Sequence, residues 1–126
     1  MSKHSILVVD DELLIRDLLY DFFQDQGWDI SIADNGKKAM EILKSKEVDL
    51  LLTDIKMPEM DGLDLTGFVK ENYPELPVIL MTGFPSVDTA VTALRAKVED
   101  YILKPFNINQ LYKTVENKVK ELKQDK

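Results

Sequence analysis

The sequence predicts an α/β domain in which a five-stranded parallel sheet lies between two layers of helices. Three observations lead there. Short β-branched or leucine-rich runs of strand length recur five times. Stretches with helical spacing separate them. The runs are apolar almost throughout, as strands covered on both sides can be, and right-handed crossovers put helices on both faces of a parallel sheet.

The first run, Ile6 to Val9, leads into a segment with Leu14, Leu18, Leu19, Phe22 and Phe23 at helical spacing. Gly27 follows where a left-handed helix ending is wanted. Ile30 to Ala33 is the second strand, and Asn35 is placed to cap a second helix carrying Ala39, Ile42 and Leu43. The third strand reads Val48 to Thr53, followed by a helix over Leu63 to Val69. Pro74 and Pro77 bracket the turn into a fourth strand, Val78 to Met81, and Ser86 caps a fourth helix, Val87 to Leu94. The last unit is Tyr101 to Leu103 and a helix with Leu111, Val115, Val119 and Leu122 on one face. These five βα units read as one domain over residues 1–126, with no solenoid-type repeat and no linker.

Composition narrows the function classes. At 126 residues the chain can bury one sizeable core but not two. With 44% hydrophobic and 31% charged residues and no low-complexity run, it reads as folded. The lack of cysteine excludes disulfides, thiolate metal sites and cysteine catalysis. A formal net charge of −7 argues against direct nucleic acid binding, which clustered Lys and Arg carry. The opening MSKHSILVVDDE reaches two aspartates after a short apolar run, so it reads as neither signal peptide nor membrane span, and a cytoplasmic location is expected.

Asp10 and Asp11 follow strand one, Asp54 follows strand three, Thr82 strand four and Lys104 strand five. All are carboxyl ends, the edge at which open α/β sheets bind ligands where strand order reverses. In a flavodoxin-like three-layer (βα)5 sandwich of order 2-1-3-4-5, strands one and three are neighbours roughly 4.8 Å apart. Asp10, Asp11 and Asp54 then crowd together, and ionised carboxylates so close need a cation. Hard oxygen donors suit Mg²⁺, or Mn²⁺, with Lys104 as a fixed positive charge and Thr82 as a hydroxyl beside them. Any one of these residues alone is more often a turn former, helix cap or surface charge. The conjunction at one edge carries the argument.

Through ILVVDDE, TDIKMPEMDG, ILMTG and DYILKPF, nearly the whole chain resembles the receiver domains of two-component response regulators. The resemblance implies that Asp54 is the phosphoacceptor, that Asp11 ligates the metal directly and Asp10 largely through water, and that Lys56 gives its backbone carbonyl. It implies Thr82 as the switch hydroxyl, Tyr101 as the switch aromatic, Lys104 as the phosphoryl-facing lysine and a cis bond between Lys104 and Pro105. Pro58 and Gly62 match the loop into the third helix. The donor implied is a phosphohistidine on a sensor histidine kinase or a histidine phosphotransfer protein. The only histidine, His4, reads as a solvated residue of the N-terminal tail rather than an internal donor.

The output implied is a conformational switch. Thr82 is drawn toward the phosphorylated Asp54, Tyr101 turns from exposed to buried, and the surface of helix four, strand five and helix five is reshaped toward an output domain or a second copy. Two features depart from the pattern. Lys97 and Val98 stand where a Gly-Ala pair is usual, so helix four is expected to end differently or to extend. The Lys56 side chain overhangs the acceptor, where it influences how water reaches the acyl phosphate. Three rival classes stand beside this reading: a hydrolase of small phosphoesters, a flavin-binding module, and an interaction domain that keeps the fold without phosphorylation. The hydrolase usually places a second aspartate where Lys56 stands, and the anionic DDELLIR suits a flavin phosphate poorly.

Overall fold

The computed structural model describes residues 3–124, so the extreme ends of the 1–126 unit, including residues 1–2 of the N-terminal stretch read above, lie outside the described residues. The elements alternate as β1 (Ser5–Val9), α1 (Leu13–Asp25), β2 (Asp29–Ala33), α2 (Gly36–Ser45), β3 (Leu50–Asp54), α3 (Gly62–Asn72), β4 (Val78–Thr82), α4 (Val87–Arg95), β5 (Asp100–Leu103) and α5 (Ile108–Gln124). The five strands pair in parallel in the order β2-β1-β3-β4-β5.

The alternation hidden in the strands appears as two cores. Leu7, Val9, Leu51, Val78 and Leu80 pack with Ala39, Leu43, Leu65, Val69 and Ala93 from α2, α3 and α4. Ile6, Val8, Leu50, Leu52, Ile79 and Met81 pack with Leu19, Phe23, Leu111, Val115 and Val119 from α1 and α5. Every residue of β3 and β4 is buried. That is why VDLLLT shows no polar phase.

Three boundaries shift in ways that matter. β3 begins at Leu50 rather than Val48, because Asp49 turns its carboxylate to the Ser5 N–H at 2.8 Å. It also continues through Asp54, which pairs with Met81 while the Ile55 N–H donates to the Met81 carbonyl at 2.9 Å. β4 likewise includes Thr82. Both functional candidates therefore sit inside the ladder, not after it.

Three side-chain expectations are corrected. Leu14 and Leu18 face solvent; the inward stripe of α1 is Ile15, Leu19 and Phe23, the first of these partly buried. His4 is not a solvated tail residue: its ring packs at a tilt of 53° against Trp28 with centroids 5.0 Å apart, and its Nδ1 lies 2.9 Å from Lys123 Nζ. Desolvation, and then the Lys123 charge, hold its pKa below the ordinary histidine value. Helix four does not extend. Lys97 takes φ 60° and the helix closes as a Schellman motif, with the Lys97 N–H on the Leu94 carbonyl (3.1 Å) and the Val98 N–H on the Ala93 carbonyl (3.3 Å). α1 closes the same way with Gly27 at φ 87°.

A lysine in the left-handed region carries a Cβ clash that glycine lacks. Lys97→Gly is therefore expected to stabilise the domain by about 0.5–1 kcal/mol, after allowance for the looser unfolded chain. Urea unfolding read by circular dichroism measures this, and a destabilised variant contradicts it.

Candidate functional site

β1 and β3 lie side by side, with Val9 opposite Thr53, so the residues that follow meet at the carboxyl edge. Asp10 is completely buried. Its Oδ1 accepts from the Glu12 N–H at 2.9 Å, and its Oδ2 accepts from Lys104 Nζ at 2.7 Å. Asp54, 4% exposed, accepts from the Ile55 N–H at 3.0 Å through Oδ1, and its Oδ2 lies 3.4 Å from Lys104 Nζ. β5 delivers that lysine: the Lys104 N–H donates to the Thr82 carbonyl at 2.8 Å, which ties the end of β5 to the end of β4.

The electrostatics follow from burial of like charges. Burial first, and then the neighbouring Asp10, push the Asp54 carboxyl up to about 6, against the pull of Lys104. Burial also raises Asp10 above its usual value, although the Lys104 ammonium and the Glu12 N–H both favour its ionised form. Burial alone would lower Lys104, but its bonds to Asp10 and Glu12 outweigh that and hold it above the ordinary lysine value. The site is short of positive charge.

Among the described residues, carboxylate oxygens of Asp10, Glu12 and Asp54 lie within 4.8 Å of one another, near enough to share one metal ion. An excess of buried carboxylate over cation, with oxygen donors only, fits Mg²⁺ or Mn²⁺. Asp11 is exposed and stands at the rim with Lys56, Gly83 and Phe84, where these residues line a small pocket of about 260 Å³ over Asp54 and Lys104. A larger groove of about 580 Å³ opens at the opposite end of the sheet, between Leu43, Tyr73, Leu76 and Val119. Its charged lining mixes Lys46 and Lys123 with Glu47, Asp49 and Glu75 and converges on nothing.

Thr82 is buried beside the site, and its hydroxyl accepts from the Phe84 N–H at 3.0 Å. Tyr101 is half-buried against the α2–α3–α4 core, and its hydroxyl lies 2.8 Å from Thr89 Oγ1 at the start of α4. Thr89 Oγ1 is also placed to donate to the Ser86 carbonyl at 3.2 Å, so the Tyr101 hydroxyl would be the donor to Thr89. Pro58 enters the loop whose Glu59 stands at φ 67°, and its carbonyl accepts from the Met60 N–H at 2.8 Å. Gly62 closes that loop onto the site, its N–H donating to the Ile55 carbonyl at 2.8 Å. The Lys104–Pro105 bond is cis.

Glu12 is the residue that sequence reasoning missed. Its Oε1 accepts from Lys104 Nζ at 2.9 Å. The available signal was the third acid of DDE, two residues beyond a buried aspartate whose carboxylate folds the turn.

A family profile described as "Response regulator receiver domain" matches residues 6–116. The transcriptional regulatory protein ZraR of Klebsiella oxytoca is 40% identical over 111 residues, covering 88% of this chain and 25% of that protein. The chain thus spans about a quarter of the length of such curated relatives. Among solved structures, a CheY-like response regulator receiver domain protein from Methanospirillum hungatei JF-1 superposes with a TM-score of 0.95 at 29% identity, covering 99% of this chain and 100% of that one. The response regulator protein TrrA from Thermotoga maritima, solved in complex with Mg(2+)-BeF, gives a TM-score of 0.79 at 34% identity over 94% of this chain and 98% of that one.

Proposed function

This chain belongs to the family of response regulator receiver domains, and we propose that all of residues 1–126 form one receiver unit whose phosphoacceptor is Asp54. It is a receiver domain rather than a classical enzyme. The observation that carries the reading is Asp54 itself: a buried carboxylate fixed in the last ladder position of β3, between Asp10 and the Lys104 ammonium.

The chemistry is in-line transfer. A carboxylate oxygen of Asp54 attacks the phosphorus of a phosphohistidine on a sensor histidine kinase or a histidine phosphotransfer protein. The P–N bond breaks, its electron pair stays on the imidazole, and the new P–O bond makes an acyl phosphate. Charge spreads over the phosphoryl oxygens, so the site has mainly to position and neutralise. Lys104 supplies a fixed charge, and the Ile55 N–H orients the carboxylate. Asp10, Asp11, Asp54 and the Lys56 carbonyl are the proposed holders of Mg²⁺ or Mn²⁺, whose contribution when bound is to neutralise charge on the phosphoryl oxygens. Lys56, at the mouth of the pocket, governs the approach of hydrolytic water.

The switch runs from Thr82 to Tyr101. New phosphoryl oxygens accept from the Thr82 hydroxyl and draw it inward, the Phe84 N–H that donates to that hydroxyl is pulled with it, and movement of the β4–α4 loop reaches Tyr101 through α4. The readout surface is apolar and unpaired: Phe84, Val87 and Leu94 are each more than 70% exposed, with Leu103 beside them on β5. We assign that face to an output domain or a second copy, and the domain to the cytoplasm. Among the described residues no helix is long and apolar enough to cross a membrane.

The test is incubation with Mg²⁺ and acetyl phosphate, read by intact mass. One phosphate adduct is expected on the wild type and none on Asp54→Ala. No adduct on the wild type, or an equal adduct on the variant, overturns the reading.

A further inference from the structure

Lys104 has three N–H donors and two close partners in this structure. It gives bonds of 2.7 Å to Asp10 and 2.9 Å to Glu12, while Asp54 stands farther off at 3.4 Å. Asp10 is buried and fixed by the Glu12 N–H; the Glu12 side chain is 60% exposed and free to let go. Glu12 occupies the N-cap position of α1, yet its side chain makes no capping hydrogen bond. Its carboxylate has turned inward to the lysine instead.

We propose that Glu12 is a positioning residue that holds the Lys104 ammonium back from Asp54, so that loosening the Glu12 contact lets the ammonium close on a phosphoryl group there. The inference rests on Asp54 being the phosphoacceptor and adds a regulatory element to that site. The third N–H is left for Asp54 at 3.4 Å, so what Glu12 restrains is the position of the ammonium rather than the number of its donors. Because the Glu12 end of the pair is solvated, its hold is modest, and releasing it shifts the phosphorylated state by a factor of about two to five. Glu12 thus sets how readily the site accepts a phosphoryl group without touching that group.

The experiment is a double-mutant cycle on the full chain, using Glu12→Gln, Lys104→Met and the pair, with Mg²⁺ and beryllium fluoride as the phosphoryl mimic. Binding is followed by NMR shifts of residues near Asp54, and acetyl phosphate uptake by intact mass. In the Lys104 background, Glu12→Gln is expected to tighten beryllium fluoride binding about two- to fivefold and to speed phosphate uptake by a similar factor. In the Lys104→Met background the same change is expected to do nothing. Removing a negative charge near an anion would help in both backgrounds, so an equal gain in both overturns the proposal. No gain in either, with a wild type that does take up phosphate, overturns it as well. A wild type that takes up neither phosphate nor beryllium fluoride instead removes the phosphoacceptor reading beneath it.

Discussion

Asp54→Asn is expected to make the metal-free domain more stable than the wild type at pH 7 to 8, and by an amount that depends on pH. The cause is the cost of keeping Asp54 ionised beside buried Asp10. Its carboxyl titrates near 6 in the folded state, against 3.8 for an unperturbed aspartate. Below the lower value the carboxyl is neutral whether the chain is folded or not, and the penalty is absent. As pH rises, the unfolded chain sheds the proton first, so the folded state loses ground until its own carboxyl ionises near 6. Above that pH the loss is complete, and the gap corresponds to about 3 kcal/mol at most. Asparagine escapes it but loses the 3.4 Å ion pair with Lys104, so a gain of about 1–3 kcal/mol is expected. Urea unfolding at several pH values between 4 and 8 measures it. Saturating Mg²⁺ should narrow the difference, because a cation that binds the ionised site stabilises the wild type. A difference that ignores pH, or a variant less stable at pH 8, contradicts the account.

The same burial explains what could be read from sequence. Strands covered on both faces leave apolar runs with abrupt polar ends, so Asp10, Asp54, Thr82 and Lys104 mark the carboxyl edge of the sheet in the sequence itself. The family was legible in the resemblance carried by ILVVDDE, TDIKMPEMDG, ILMTG and DYILKPF, and the order 2-1-3-4-5 is that of the flavodoxin-like fold. What stayed hidden depended on directions that spacing does not encode. In LLIRDLLYDFF apolar residues fall on several helical phases, and only packing against Ile6 and Val8 selects Leu19 and Phe23 over Leu14 and Leu18. Glu12 reads as a helix start, and its inward turn is set by Lys104, ninety-two positions away. His4 reads as tail, and its place is set by Trp28 and by Lys123 in the last helix. Lys97 reads as a broken helix ending, yet two backbone hydrogen bonds hold the motif with a lysine in glycine's conformation.

Gly62→Ala is expected to damage both stability and phosphorylation, although its side chain is a single methyl group. Gly62 opens α3 directly against the backbone of Asp54, the proposed acceptor, its N–H bonded to the Ile55 carbonyl. A Cβ there would collide with the Asp54 carbonyl and crowd Ile55 Cα, which are backbone atoms of a buried strand end and cannot swing aside. Either α3 retreats from β3 or the Asp54 peptide shifts. The first loosens Leu65 and Val69 in the core beneath; the second moves the Asp54 carboxylate proposed to attack. Overpacking of this kind costs about 1–3 kcal/mol. A misplaced nucleophile slows phosphate uptake by roughly 10- to 100-fold, since small displacements of reacting groups are costly. The control is Gly67→Ala on the same helix, where an added Cβ meets nothing within 4 Å. That change should stabilise the helix by about 0.5–1 kcal/mol and leave phosphorylation unchanged. Acetyl phosphate uptake below the melting transition of each variant separates the two effects. If Gly62→Ala takes up phosphate at the wild-type rate while folded, the close approach of α3 does not fix the acceptor, and its rigidity must come from the β1–β3–β4 ladder alone.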